Sequence, residues 1–260
     1  MINNETHNTI VDSQFGPRAQ SYLTSTVHAS GADLDQMVDI IGQRPDAIAL
    51  DLGCGGGHAA YRLAPLVNTV VAYDLSEQMV IVVAEEAKRR GMNNLVTKLG
   101  AAESLPCASE SFDIAVTRYS THHWHDVPAG LAQMRRVLKP NGLAVFMDVI
   151  SPDSPLLNTW LQTLELLRDP SHVRNAALSE WQNLLNAAGF AVRSVTKLRL
   201  RLDFASWVER MKTPESHVTA ILSLQQLASA EVADYFSIEK DGSFTVDSVL
   251  IAAQATTISG

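Results

Sequence analysis

The sequence predicts an α/β fold built on a mainly parallel sheet. Three observations carry this. Short apolar runs alternate with segments of helical period across residues 46–151, the first run ends in a glycine-rich turn, and the second ends in an acidic residue. The segment DLDQMVDIIG has helical spacing and stops at Gly42, and DAIALDLG is the apolar run that enters the glycines. HAAYRLAPLV then reads as a helix and TVVAYDLS as a strand. A helix from about Glu77 to Arg90 ends at Gly91. NLVTKLG and FDIAVTR read as strands, PAGLAQMRRVL as a helix, and GLAVFMDVI as a strand after the turn Lys139-Pro140-Asn141-Gly142. Parallel neighbours need a crossover about a helix long, so this alternation implies helices on both faces of the sheet. Ligands of such sheets bind at the carboxyl ends of the strands.

Beyond Pro152 the pattern changes. LLNTWLQTLELLRD, LSEWQNLLNAAG and a run from about Phe204 to Tyr235 are helical, with a strand at VRSVTKLRLRL between them. The final FSIEKDGSFTVDSVLIAAQA reads as two β runs around an Asp-Gly turn, a hairpin. Lys197, Arg199 and Arg201 alternate as one exposed face of a strand, a common protection for a sheet edge. The chain divides into an N-terminal helical segment (1–45), a core (46–151) and a C-terminal part (152–260) whose helices cap the site and whose strands close the same sheet.

A net charge of −8 argues against non-specific attraction to nucleic acid or anionic membranes. Cys54 and Cys107 form no CxxC pattern, so a reducing compartment is expected. The opening MINNETHNTIVDSQFG lacks a basic and then apolar profile, and no apolar run reaches the ~18 residues of a membrane span. A cytoplasmic location follows as an expectation.

ALDLGCGGGHAA sets Gly53, Gly55, Gly56 and Gly57 between a strand and a helix, where backbone without side chains lets a ligand approach the helix N-terminus. Asp74, 21 residues beyond Gly53, ends the next strand, where a carboxylate can accept both hydroxyls of a ribose. The pair points to a cofactor containing a nucleoside. The dinucleotide fingerprint would require glycine or alanine at position 58, which is His58, so an NAD-dependent dehydrogenase is disfavoured. The GxGxG form preceded by Asp51 suits a cofactor with a small amino-acid head.

ALDLGCGGGHAAYRLA, VVAYDLSEQMV, GAAESLPCASESFDIAVTRYSTHHW and RRVLKPNGLAVFMD resemble, in order and spacing, the successive motifs of class I S-adenosylmethionine-dependent methyltransferases. The resemblance spans about Asp46 to Ser151 and is nearest to the small-molecule branch with the ubiquinone/menaquinone C-methyltransferases. It implies S-adenosyl-L-methionine as cofactor and a Rossmann-like, seven-stranded, mainly parallel sheet with a terminal antiparallel hairpin. It implies that the backbone around Gly53 to Gly55 contacts the methionine part, that Asp74 holds the ribose, that Ala102 and Glu103 flank the adenine, and that Asp51, Cys54, Gly57, His58, Leu75 and Met79 also bind the cofactor. Many relatives have Asp where this chain has Ala101, so backbone or Glu103 must replace that contact. Arg118 and Tyr119 follow the fourth strand beside the cofactor. QFGPRAQSYLTS resembles the segment that folds over it, with Arg18 and Tyr22 facing the methionine part or standing on a solvated helix. A cofactor-binding protein without catalysis is the alternative function.

TRYSTHHWHDV carries His122, His123 and His125 after that strand. Adjacent histidines point apart on a regular backbone, so too few converge for zinc, and no metal is expected. His123, with His122 as alternative, is expected to contact the substrate or accept its proton, because imidazole titrates near neutral pH; packing or capping is the competing reading. His125 and Asp126 open the next helix. Asp148 ends a strand on the substrate side. Arg168, His172 and Arg174 in LLRDPSHVRNAALSEW would line an outer pocket favouring an anionic group, or else a solvated connection. The acceptor is expected to be a small molecule. Arg-Tyr-Ser-Thr stands where amino-methylating DNA enzymes carry Asn/Asp-Pro-Pro-aromatic, and Cys107 lies on the wrong side of the strand to attack a cytosine.

Overall fold

The structure, a computed structural model, describes residues 5–24 and 31–256. Ser25 of the expected covering segment lies outside them. Seven strands form one sheet in the order β3-β2-β1-β4-β5-β7-β6, with β1 Arg44–Leu52, β2 Val67–Asp74, β3 Leu95–Leu99, β4 Phe112–Arg118, β5 Leu138–Ile150, β6 Phe190–Leu202 and β7 Phe244–Ala255. The first five pair in parallel, and β7 runs antiparallel between β5 and β6.

Both faces of the central strands are buried, which explains their unbroken apolar runs. Ala49, Ile114, Val116, Val145 and Met147 meet Leu34, Met37, Tyr61 and Val83 from helices α3 (Ala32–Ile41), α4 (His58–Leu63) and α5 (Glu77–Arg89). On the other face Leu50, Leu52, Ala115, Ala144 and Phe146 meet Leu131, Met134, Trp181 and Leu185 from α6 (Val127–Val137) and α8 (Leu178–Ala187). Helix α4 is shorter than its apolar pattern because Pro65, without an N–H, cannot continue the ladder. A third core joins α7 (Pro155–Arg168), α9 (Phe204–Met211), α10 (Glu215–Gln226) and α11 (Ala230–Phe236) over the ends of β6 and β7 through Leu161, Leu164, Trp207, Ile221, Phe236 and Phe244.

Two expectations change in detail. The terminal antiparallel pair is present, but its members are β6 and β7, joined through α9, α10 and α11. Phe236 ends α11 rather than starting a strand, and Asp241-Gly242 makes a local turn in which Glu239 N–H donates to the Ser243 carbonyl at 2.7 Å. Lys139 to Gly142 do not precede β5 but form an irregularity inside it. The register moves from Phe112↔Leu138 to Ile114↔Leu143, and Asn141 takes φ 62°. Edge strand β6 carries the expected cations, with Arg199 paired to Asp247 at 2.8 Å and Arg201 to Glu239 at 2.6 Å.

At the N-terminus α1 (His7–Phe15), a 3-10 turn (Gly16–Arg18) and α2 (Ala19–Thr24) lie across the carboxyl ends of the strands. His7 Nε2 donates to the His123 carbonyl (2.9 Å), Tyr22 Oη donates to Met211 Sδ (3.2 Å) and Arg18 donates to the Met211 carbonyl (2.8 Å). Among the described residues no helix is long and apolar enough to cross a membrane.

Candidate active site

Strand β1 ends at Leu52, and the chain must reverse at once into α4. Gly53, Gly55 and Gly57 do this with φ of 71°, 49° and 79°. A Cβ on Gly53 would stand 1.9 Å from Ser120 Oγ, and one on Gly57 would meet the Tyr61 ring at 2.8 Å. Around Gly55 there is open space. Gly53, Gly55 and Gly56 form one side of a cavity of about 980 Å³, measured with its open mouth, at the carboxyl ends of β1, β2 and β4.

Two carboxylates sit beside the loop. Asp74, at the end of β2, accepts from Gly55 N–H (2.7 Å) and Ser76 N–H (2.9 Å), one on each oxygen. Burial raises its pKa, against the pull of those N–H groups. Asp51 is only 1% exposed. One oxygen accepts from Ala60 N–H at 2.9 Å, and the other, Oδ1, has no partner. Burial, with the nearby Asp74 charge, pushes Asp51 up to about 7 against the effect of Ala60 N–H and Arg118. A buried carboxylate with an unfilled oxygen calls for a cationic donor.

Of the residues the sequence assigned to the cofactor, Asp51, Gly53, Cys54, Gly55, His58, Asp74, Leu75, Met79, Ala102, Glu103, Arg118, Tyr119 and Tyr22 line this cavity, and so does His123. Gly57 does not; it lets Tyr61 pack against the turn. Arg18 does not either, because its guanidinium is spent on the Gln14 and Met211 carbonyls. Arg118 pairs with Asp33 at 2.5 Å, both side chains buried, and so anchors α3. His58 Nε2 donates to the Tyr22 carbonyl (2.9 Å) and stays neutral, since burial lowers its pKa. Glu103 Oε1 receives His125 (2.9 Å), while Asp126 caps α6 by accepting from Ala129 N–H. Cys54 is buried and held as a thiol, its pKa raised by burial.

A second cavity of about 680 Å³ adjoins the first. Phe15, Tyr22, Tyr119 and His123 line both and form the partition. Beyond it stand Val149, Leu200, Leu202 and Trp207 with the polar residues His122, Glu165, Arg168, Asp169, Asn175 and Arg210.

The expectation that His122 and His123 diverge is overturned. The 3-10 turn Thr121–His123 is tighter than a regular strand, and it brings their rings to 4.2 Å between centroids. Their protonation differs. His122 Nδ1 donates to Asp148 Oδ1 at 2.6 Å, and the same carboxylate accepts from Thr121 Oγ1 and Val149 N–H. Burial opposes a charge on His122, but Asp148 outweighs it and the imidazole pKa is raised. Burial and then the His122 charge push His123 down to about 3. His123 is therefore neutral, its Nδ1–H donating to the Ser171 carbonyl (3.2 Å) and its ring set edge-on to Phe15.

Asp148, His172 and Arg174 line neither cavity. Asp148 lies behind His122 as its partner. His172 is buried with Nε2 on Gln162 Oε1 (2.9 Å), pushed down to about 2 by burial and by His122 and His123. Arg174 pairs with Glu180 at 2.7 Å on the surface. Arg168 does line the second cavity, but donates to the Trp207 carbonyl (3.0 Å) and meets Glu165 (3.4 Å). Sequence reasoning missed Trp207 and Arg210, which lie far from the motifs on α9, and Asp169 and Asn175, which stand beside Arg168 and Arg174 in LLRDPSHVRNAALSEW but were not singled out there. Among the described residues no three His, Cys, Asp or Glu side chains are arranged to hold a metal ion.

Residues 50–146 match the family model described as a methyltransferase domain. The uncharacterized protein YafE of Escherichia coli is 49% identical over 201 residues, 77% of this chain and 97% of its own. The uncharacterized methyltransferase YcgJ of Bacillus subtilis is 36% identical over 87% of this chain and 90% of its own length, and its crystal structure superposes with a TM-score of 0.84 over 87% of this chain and 99% of that one. A 2-phytyl-1,4-naphtoquinone methyltransferase of Synechococcus elongatus is 33% identical over 123 residues, 46% of this chain and 53% of its own.

Proposed function

The chain belongs to the class I S-adenosylmethionine-dependent methyltransferases and is a methyl-transferring enzyme, and from that premise we propose that it binds S-adenosyl-L-methionine in the cavity at Gly53 and methylates a small molecule held in the adjoining one. The observation that carries this reading is the pair of cavities separated only by Phe15, Tyr22, Tyr119 and His123. The residues fit the cofactor. Asp51, with its unfilled oxygen, suits the ammonium of the methionine part, Asp74 the ribose hydroxyls, and Leu75, Met79 and Ala102 the adenine. When bound, S-adenosylmethionine supplies an electrophilic methyl group on a sulfonium.

Methyl transfer is an in-line displacement, and holding the acceptor near attack geometry is worth up to roughly 7–11 kcal/mol. The partition residues do this by limiting where an acceptor atom can stand. For an acceptor that must lose a proton, His122 is the base. Asp148 fixes Nδ1–H, which leaves Nε2, without a protein partner, to accept the proton. His123, the residue favoured from sequence, is a weak base at about 3 and serves as wall and hydrogen-bond donor to Ser171. The second cavity, about 680 Å³ including its open mouth, is where that small molecule would lie. Relatives that bear quinone-methyltransferase names agree with this acceptor class.

Calorimetric titration with S-adenosylmethionine and with NAD tests the cofactor. Binding of NAD with none of the sulfonium overturns the reading. Transfer of labelled methyl into a size-fractionated metabolite extract tests the acceptor. Label appearing only in macromolecules excludes a small molecule.

A further inference from the structure

Not every charge around the second cavity has a partner within hydrogen-bond reach. Arg168 has Glu165, and His122 has Asp148. Asp169 accepts Ser171 N–H (2.8 Å) and Ser171 Oγ–H (2.6 Å) on one oxygen, and the residue is 1% exposed. Arg210 is different. It sits on α9, half-buried on the cavity wall, and among the described residues it makes no hydrogen bond or ion pair. Burial and then the neighbouring Arg168 charge lower its pKa, so the guanidinium is held where the protein itself disfavours the charge. Next to it Trp207, Leu200 and Leu202 offer an apolar surface.

We propose that the methyl acceptor is an amphipathic anion, whose carboxylate or phosphate pairs with Arg210 while its apolar body lies on Trp207, Leu200 and Leu202, the end to be methylated facing the partition at Tyr119 and His123. Guanidinium binds such planar or tetrahedral oxyanions through paired N–H donors. An unpaired, partly desolvated Arg gains by the exchange, because an anion supplies what the protein omits. The expected anion selectivity of this cavity is kept, but its carrier is Arg210, not Arg174 or His172. The inference rests on the methyltransferase reading for the identity of the ligand as acceptor, not for the anion preference itself.

The test uses 4-phenylbutyrate and its neutral amide as matched probes, titrated calorimetrically into the full chain, with S-adenosylhomocysteine titrated separately. The wild type is expected to bind the carboxylate about 10-fold or more tighter than the amide, in keeping with a charge-assisted hydrogen bond. Arg210→Gln should bring the carboxylate to the level of the amide. Arg210→Lys should keep part of the preference, and both variants should bind S-adenosylhomocysteine as the wild type does. Equal binding of the two probes by the wild type, binding of neither, or a preference that survives Arg210→Gln overturns the inference. Failure of the wild type to bind S-adenosylhomocysteine overturns the cofactor reading and leaves the probe result to stand separately.

Discussion

Replacing Asp51 by asparagine is expected to stabilise the ligand-free protein above neutral pH while weakening its hold on the cofactor. Asp51 has a folded-state pKa of about 7 against an ordinary value of 3.8. Between those values the folded chain keeps a proton that the unfolded chain has released, so this group makes stability fall as pH rises from about 4 to about 7. Near pH 8 both states are ionised, and the folded one carries a desolvated carboxylate at a cost of roughly 4 kcal/mol. Asparagine removes that charge and keeps an oxygen for Ala60 N–H, but it leaves an amide N–H buried without an acceptor, which costs about 1–3 kcal/mol. The variant should therefore be more stable than the wild type by about 1–3 kcal/mol near pH 8, and by less near pH 5. Urea denaturation at the two pH values measures this. An equal effect at both, or a less stable variant near pH 8, would refute the argument that burial of an ionised Asp51 strains the fold. In the same samples S-adenosylhomocysteine should bind about 10-fold or more weaker, since the ammonium loses a charged partner.

Further outcomes follow from the geometry. Gly53→Ala combines a positive φ with a Cβ 1.9 Å from Ser120 Oγ, and should cost roughly 2–4 kcal/mol by denaturation and abolish cofactor binding. Lys212 ends α9 at φ 51°, and Lys212→Gly should raise stability by about 0.5–1 kcal/mol, because the lost ion pair with Glu209 is exposed. In Asp148→Asn the amide oxygen can still accept from His122 Nδ1–H and Val149 N–H, so the geometry persists while the charge goes. Imidazole NMR should show the His122 pKa falling, and the rising limb of methyl transfer should move to lower pH; an unmoved titration would remove Asp148 as its cause. Asp148→Ala instead breaks a buried pair and should cost about 3–5 kcal/mol. That stabilisation is present between the depressed pKa of Asp148 and the raised pKa of His122, and is lost outside that window. With a proton-losing acceptor, His122→Ala should reduce kcat by about 100-fold or more, whereas His123→Ala should act mainly on KM; the reverse pattern would return the base to His123.

The core was legible because its signals are local. A β run ending in glycines, a second ending in Asp74, and the spacing between them depend on a few consecutive residues, and the fold leaves that spacing intact. The second cavity was not legible for the opposite reason. Arg174 and Arg210 are equally plausible cations in the sequence, and what separates them is that Glu180, six positions away across the start of α8, captures Arg174, while no carboxylate among the described residues pairs with Arg210. The histidines fall between these cases. Their position after β4 was readable, but their order of basicity depends on Asp148, 26 residues downstream on the neighbouring strand, and on the 3-10 turn that brings the two rings together. A rule based on extended backbone fails at such a turn.

The N-terminal segment links the two halves of the site. Tyr22 lies against Gly56 through its backbone, accepts from His58 through its carbonyl, and donates to Met211 through its hydroxyl. Arg18, expected at the cofactor, donates instead to the Met211 carbonyl. Met211 follows Arg210 in the helix that supplies the free cation. The glycine loop and α9 are thus joined by one short stretch that also contributes Phe15 and Tyr22 to the partition. The shape of the first cavity and that of the second are therefore set in part by the same side chains, Phe15 and Tyr22.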